Sequence, residues 1–361
     1  MNLDKTQSVS TLAPEGKKGD HVDIKSKIER ELKSFSCLFE CRIATVGTSA
    51  RESEQFAVLP RRSALGYEAI NFLVTSPENA AQSFSLLDSN VQFLFVDIES
   101  KKEIDLMSIA KKIVKKATII AYKPNDTTLE AADLFLRHHF HDDLVNKNIM
   151  IYGAGNLGSK LALRLAERGS NIYLSSRNND KTKEIVKTLN YLLPKYSKNS
   201  IKLVTGDEDL FLKIDSLISF TSSSNVIPPS FASYIKKGGL ALDGGINNFS
   251  PEFILKANES TITCYRLDVR AAFPHTVLYL IDYIRDFYTN IQGEEKRNQT
   301  RLVAGGIIGN DGDIVVDRIK TPAQIVGVAN GVGGLKAEKD LTAKDQQQLN
   351  EILQQINKYK Q

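Results

Sequence analysis

Ile149-Met150-Ile151-Tyr152-Gly153-Ala154-Gly155-Asn156-Leu157-Gly158 decides how this chain is read. An apolar run meets a G-x-G-x-x-G turn, and Leu161, Leu165 and Ala166 then recur at helical spacing. That order predicts a strand, a glycine turn and a helix, the opening of a dinucleotide-binding βαβ unit. Gly153 serves the tight turn. Gly155 lets a pyrophosphate approach the backbone, and Gly158 lets the helix lie against the strand. Asn156 and Leu157 start the helix, whose free N–H groups and positive dipole end suit phosphate.

The next strand, Asn171-Ile172-Tyr173-Leu174, ends in Ser175-Ser176-Arg177-Asn178 and carries no acid. NAD sites usually place a carboxylate there to hold the ribose 2′-hydroxyl. Ser176, Arg177 and Asn178 suit a 2′-phosphate instead, and Arg177 can also stack on the adenine. Lys181 and Lys183 add positive charge nearby. The expected cofactor is NADP(H); NAD, or a glycine turn in an unrelated α/β protein, are the alternatives.

The 361 residues are 42% hydrophobic and 25% charged, with a net charge of +4, an ordinary soluble composition for two domains or one large one. So small a charge gives no ground for nucleic-acid binding. Lys111-Lys112 and Lys115-Lys116 read as a solvated helix face. No apolar run reaches the roughly 18 residues of a membrane span, and the basic N-terminus lacks the apolar core of a signal peptide. Three cysteines, Cys37, Cys41 and Cys264, point to a reducing, cytoplasmic setting. Cys37 and Cys41 have no second ligand pair, and His138, His139 and His141 have only Asp142-Asp143 beside them, so no metal is expected.

Residues 1–23 read as a disordered polar tail. Ile24 to Lys33 reads as a helix. Strands are expected at Cys41–Val46, Ile70–Val74, Val91–Val96 and Thr118–Tyr122, with helices over Pro77–Leu87 and Ile104–Ala117 between them. Pro124 ends the last of these strands. Asp126 or Thr127 is placed to cap a helix from Leu129 to Phe140. Further strands are expected at Ile201–Val204, Ser216–Phe220, Leu240–Asp243 and Thr261–Cys264, then a helix from Pro274 to Tyr288. Short strands at Gly305–Gly309, Asp313–Asp317 and Ile325–Val328 precede a terminal amphipathic helix, Ala343–Tyr359. The expected fold is α/β, a small N-terminal α/β domain (24–125) followed by a Rossmann-type doubly wound parallel-sheet domain (126–290) and a C-terminal extension (291–361).

This order resembles the shikimate dehydrogenase-like group, which shares its architecture with methylenetetrahydrofolate dehydrogenases and glutamyl-tRNA reductases. Asn125-Asp126-Thr127 stands where shikimate dehydrogenases have Asn-Thr-Asp-Gly. Ser176-Arg177-Asn178 resembles their Asn-Arg-Thr, which holds the NADP 2′-phosphate. Ile218-Ser219-Phe220-Thr221-Ser222 resembles the Ile-Asn-Ala-Thr-Ser strand end that lies along the nicotinamide ribose, so Thr221 and Ser222 are implied cofactor neighbours. The resemblance implies an NADP-linked dehydrogenase or reductase. It departs at Val74-Thr75-Ser76-Pro77-Glu78-Asn79, where the family's proton-transferring lysine is Asn79, an amide that cannot act as acid or base. The Tyr-x-x-x-Lys of methylenetetrahydrofolate dehydrogenases and the nucleophilic cysteine motif of glutamyl-tRNA reductases are not found; Glu40-Cys41-Arg42 is a faint echo of the latter.

Hydride transfer to a carbonyl or imine needs a proton donor and a positioned acceptor. Asp126 is the first candidate catalytic residue through the resemblance, with a helix cap as the alternative. Lys123 is a replacement for the missing lysine, or a solvated loop residue. In Arg266-Leu267-Asp268-Val269-Arg270, Arg270 can clamp a substrate carboxylate or pair with Asp268. His275 can donate a proton, or simply begin a helix. Arg61-Arg62-Ser63 is read as a loop able to meet an acidic substrate. Gly244, after Asp243, lets backbone approach the cofactor or makes a turn. The expected activity is reduction or oxidation of a small polar, acidic keto/hydroxy or imino/amino substrate, with a non-catalytic NADP(H) sensor or scaffold as the alternative. The expected partner is a small molecule, with neither nucleic acid nor membrane; a homodimer through late helices and edge strands is open.

Overall fold

The computed structural model describes residues 23–359 apart from 37, 40, 52–54 and 206–212. The polar tail therefore lies outside the described residues except for Asp23, whose carboxylate caps the first helix. Cys37 and Glu40 also lie outside them. The chain forms two compact units, residues 1–271 and 272–361.

The first unit opens with α1 (Ile24–Lys33), β1 (Cys41–Gly47), β2 (Ala57–Ala64), β3 (Tyr67–Leu73), α2 (Pro77–Leu87), β4 (Phe93–Asp97), α3 (Leu106–Ile113) and β5 (Thr118–Tyr122). These strands pair in the order β2-β3-β1-β4-β5, parallel except for β2. Ser76 caps α2, with Pro77 in the first turn, where no N–H is wanted. Phe72, Phe84, Leu87 and Leu94 form the buried centre. The helix expected over 104–117 is shorter, because the Asp88 carboxylate accepts the N–H groups of Lys115, Lys116 and Ala117 (3.0, 2.8 and 2.9 Å) and holds them as a turn. The expected loop at Arg61-Arg62-Ser63 is instead part of β2. Pro60 and a register shift between Leu59 and Arg62 hide its alternation, and an edge strand tolerates both.

A long helix, α4 (Pro124–His139), leads into β6 (Asn148–Tyr152), α5 (Asn156–Glu167), β7 (Asn171–Ser175), α6 (Asn179–Leu192), β8 (Ile201–Leu203), β9 (Ile214–Ser219), β10 (Ile235–Asp243), α7 (Pro251–Glu259) and β11 (Thr263–Arg266). The second sheet runs β11-β10-β9-β6-β7-β8, all parallel. The expected α/β fold, with a Rossmann-type parallel sheet after a smaller α/β layer, is present. The chain leaves β6 for β7 on one side and returns to β9 on the other. That reversal opens a crevice at the carboxyl end of β6, where ligands of such sheets bind.

Neither Asp126 nor Thr127 caps α4. The helix starts earlier, at Pro124, with Lys123 as its N-cap residue and Asp126 in its first turn. Proline fits that position because its fixed φ is already helical. α4 packs on α5 through Leu129, Ala132 and Leu136 against Leu161, Ala162 and Leu165. Three ion pairs run along the same seam: Lys160–Asp126 (2.9 Å), Arg164–Glu130 (2.7 Å) and Arg168–Asp133 (2.7 Å).

In the second unit, α8 (Phe273–Val277) and α9 (Asp282–Asp286) precede β12 (Gly293–Arg297), β13 (Thr300–Ala304), β14 (Ile314–Val316), β15 (Ile325–Val328) and α10 (Ala343–Tyr359). The strands pair in that order, and Ile352 and Ile356 of α10 pack on Leu302, Ile314, Val316 and Val328. The single helix expected over 274–288 is broken at Ile281, whose backbone is extended (φ −70°, ψ 147°). Gly305–Gly309 is not a strand, since Gly305 and Gly306 turn the chain with φ of +67° and +86°. The break between units falls at Ala271/Ala272, not after residue 290. The end of this helical segment belongs with the second unit, because Ile319 and Lys320 donate to the carbonyls of Ile291 and Asn290 (3.0 and 2.9 Å).

Asp133 is 1% exposed and accepts from Arg168 Nε and Nη2 (2.8 and 2.7 Å). Asp133→Ala is expected to destabilise the chain by about 2–3 kcal/mol, while Glu130→Gln, at the wetter Arg164 pair, costs under about 1 kcal/mol. Equal denaturant midpoints for the two variants would contradict this ranking of the seam.

Candidate functional site

The three glycines of the turn do different things. Gly153 has φ +119°, and a Cβ there would meet the Phe220 carbonyl oxygen at 2.2 Å. Its N–H donates to the Ser175 carbonyl (2.8 Å), which ties the turn to the end of β7. A Cβ on Gly158 would stand 1.8 Å from the Gly153 carbonyl oxygen. Gly155 is the N-cap residue of α5, and nothing lies within 4 Å of the place its Cβ would take. The turn is thus closed against protein at Gly153 and Gly158 and open at Gly155. The open face carries the first N–H groups of α5, from Asn156, Leu157 and Gly158.

One strand over, Asn178 caps α6 by accepting the Lys181 N–H (3.0 Å). Ser176 Oγ accepts the Asn178 N–H (3.3 Å) and sits 2.6 Å from Thr182 Oγ1. The two side chains are thereby held as a polar rim beside exposed Arg177, whose guanidinium has no hydrogen bond or ion pair among the described residues.

Across the crevice, the carboxyl end of β9 is pinned by Asn248, which sequence reasoning missed. This fully buried amide accepts from Ser219 Oγ (2.9 Å) and the Thr221 N–H (3.1 Å) and donates to the carbonyls of Thr221 (3.2 Å) and Ser223 (2.8 Å). Asp243, also buried, accepts the N–H groups of Gly245 and Asn248 (3.1 and 3.2 Å). Thr221 and Ser222 therefore stand on a stapled strand end. Gly244 answers to protein packing: a Cβ there would meet the Phe220 ring at 2.2 Å.

Asp126 is flanked by two ammonium groups, Lys123 at 2.5 Å and Lys160 at 2.9 Å. Burial pushes its pKa up, but the hydrogen bonds from Lys123 and Lys160 prevail and hold it below the usual carboxylate range. The bond to Asp126 raises Lys123 in turn. Asn125 reaches Asn156 at the start of α5 (3.4 Å), and its N–H donates to Glu99 (2.9 Å). The lysine–aspartate pair accordingly stands beside the glycine turn. Lys160 was not singled out from the sequence, although Asp126, Glu130 and Asp133 match Lys160, Arg164 and Arg168 in helical spacing and opposite in sign.

Glu99 also holds Lys101 (2.7 Å), which bonds Asp97 as well (3.3 Å). Lys101, Asp97 and Thr48 line a cavity of about 650 Å³ at the carboxyl ends of β1 and β4, with Ile98, Leu106 and Met107 as its apolar wall. Asn79 is occupied otherwise: its N–H donates to the cap Ser76 (3.2 Å) and its amide to Thr75 (3.1 Å).

Arg270 is engaged by Asp268 through Nε (2.8 Å) and Nη2 (2.5 Å). The hydrogen bond from Arg270 comes first among the causes that hold Asp268 below the usual range; the charge of Arg62 adds to it. Arg62 itself donates to the Tyr122 hydroxyl (3.0 Å). His275 lies exposed in α8 of the second unit. His139 stacks on Phe135 and meets Phe140 edge-on, and burial lowers its pKa. Among the described residues, no group of three His, Cys, Asp or Glu side chains is placed to hold a metal.

Residues 148–215 match the family model described as NADP oxidoreductase, coenzyme F420-dependent. No curated protein matches the chain. Among solved structures, a shikimate dehydrogenase in complex with NADP+ is 19% identical, with 65% of this chain and 89% of that one covered and a TM-score of 0.42. L-tryptophan dehydrogenase from Nostoc punctiforme is 11% identical, covering 70% and 79%, at a TM-score of 0.44. Anabolic ornithine carbamoyltransferase from Campylobacter jejuni is 14% identical, covering 73% and 94%, at 0.40. The likeness is one of architecture alone.

Gly158→Ala is expected to destabilise the chain by more than about 3 kcal/mol, since the new methyl meets backbone. Gly155→Ala should stay within about 1 kcal/mol of the unaltered chain, because φ of −83° is open to alanine. Thermal melts decide between these, and equal losses would contradict the assigned roles. Asp126, depressed in the folded chain, adds stability above the ordinary carboxylate range that is lost as pH falls through its folded pKa. Its half-exposed position keeps the effect modest. Asp126→Asn is expected to flatten the acid limb of stability against pH; an unchanged slope would show that the pairing is absent in solution.

Proposed function

We propose that the chain is an NADP(H)-dependent oxidoreductase that acts on a small polar, acidic keto/hydroxy or imino/amino substrate. The observation that carries this reading is the glycine turn, open at Gly155 alone and set where the strand order reverses. The pyrophosphate is assigned to the N–H groups of Asn156, Leu157 and Gly158. The 2′-phosphate is assigned to Ser176, Arg177 and Asn178, since Arg177 is exposed and has no acidic partner among the described residues. Thr221 and Ser222 fall to the nicotinamide side.

When bound, the nicotinamide ring supplies or accepts a hydride at C4. The chain's part is to hold the substrate and move a proton. Lys123 carries that proton on Nζ, and Asp126 orients it from 2.5 Å. In this reading the pair replaces the family lysine that Asn79 lacks. The cavity at the ends of β1 and β4 gives room for the non-reacting part of the substrate, and Glu99 joins it to the pair through the Asn125 N–H. Arg270 serves a substrate carboxylate only by leaving Asp268, so its contribution to binding is small.

The bonds that hold Asn79 to Thr75 and Ser76 favour one further reading, a chain that binds NADP(H) without turnover. Fluorescence titration tests the cofactor assignment. Arg177→Ala should raise the Kd for NADPH about 10- to 100-fold and leave NADH unchanged. Equal effects on both cofactors, or no binding of either by the unaltered chain, would overturn it. With a turned-over substrate in hand, Lys123→Met should lower kcat about 10²–10⁴-fold. If no keto or imino acid oxidises NADPH, the binding-only reading stands.

A further inference from the structure

The loop after β10 is held in a conformation that its residues do not favour. Ile246 and Asn247 are both left-handed, with φ of +66° and +57°. For a β-branched residue such as Ile246 this is a true outlier, and it persists only where the surroundings impose it. Here they do. Asn225 N–H bonds the Asn247 carbonyl (2.7 Å), Val226 N–H bonds the Asn248 carbonyl (2.8 Å), and the buried Asp243 and Asn248 side chains fix the two ends. The outcome is that the carbonyls of Gly245 and Ile246 both accept from Arg51 Nη2. Arg51 belongs to the segment after β1, in the other sheet of the same unit, and is separated from its acceptors by 194 and 195 residues.

A guanidinium carries its charge on a planar fork of donors, and here two neighbouring carbonyls receive it. No carboxylate neutralises Arg51 among the described residues. Both acceptors are neutral carbonyls, so this contact is weaker than the buried, charge-paired Arg168–Asp133 contact. It sits at the carboxyl end of β10, next to the Thr221 strand end that Asn248 pins.

We infer that Arg51 is a latch: by donating to the Gly245 and Ile246 carbonyls it closes the first sheet onto the carboxyl ends of β9 and β10, and its release opens that face for passage of the cofactor's nicotinamide half. The second clause rests on the cofactor reading above.

The test compares the full chain with Arg51→Ala and Arg51→Lys, in two arms. Hydrogen exchange of the ligand-free chain should rise at residues 244–248 in Arg51→Ala, with the core amides of β6 and β9 unchanged. Stopped-flow release of NADPH should quicken about tenfold in Arg51→Ala and by less in Arg51→Lys, while the affinity for 2′,5′-ADP, which lacks the nicotinamide, stays the same. Unchanged exchange, unchanged NADPH release, or an equal loss for 2′,5′-ADP would overturn the latch. If the unaltered chain binds no NADPH, the cofactor reading fails on its own, and the exchange arm still decides whether Arg51 closes the loop.

Discussion

The seam between α4 and α5 is the contact on which the candidate site depends. α4 leaves the first sheet at β5 and lies along the first helix of the second sheet. Its apolar face, Leu129, Ala132 and Leu136, is buried in the same core as Leu161, Ala162 and Leu165. Burial of this kind supplies most of the attraction but sets no register along the helix axis. The ion pairs set it. Asp126, Glu130 and Asp133 recur at the spacing of one helix face, as do Lys160, Arg164 and Arg168, and one residue's slip would misalign all three pairs. The register brings the Lys123–Asp126 pair beside Asn156 and the glycine turn. The buried Asp133 pair anchors the far end of the seam, and the Asp126 pair at the near end is half-exposed.

On both sides of the crevice the same economy of space is seen. Gly153, Gly158, Gly244 and Gly245 each lack a Cβ where backbone, Phe220 or Asn248 already stands. The strand ends of β6, β9 and β10 are thereby packed against one another to the point where no side chain fits. Gly155 differs in facing nothing. The turn is thus open at one glycine and closed at its neighbours, which leaves the backbone at the start of α5 accessible.

The elements with a strong local signal stood in the sequence: α1, α2, the β6–α5 turn, β15 and α10 fall where periodicity and caps put them. What escaped did so for physical reasons. β2 has no clean alternation because Pro60 and a bulge interrupt it. The start of α4 was displaced by reading Asp126 as a cap, when Pro124 already fixed the first turn. The helix across Ile281 broke through a backbone choice that apolar spacing does not encode. At the site, the glycines and the Ser176–Asn178 rim were visible because they are contiguous. Asn248, Glu99, Lys160 and Arg51 were not, since each acts on a partner dozens of residues away or more. The pairing of Arg270 with Asp268 had been one of two open readings, and geometry places the guanidinium there.

The proposed function requires a dinucleotide lying over Gly155 with its 2′-phosphate at Arg177. Amide chemical shifts of the isotope-labelled chain, followed through a titration with NADP+, test this most directly. Large shifts are expected at residues 153–159 and 176–178, with those at 176–178 much reduced when NAD+ replaces NADP+. Saturable shifts confined to other parts of the chain, or none at all at millimolar cofactor, would contradict it.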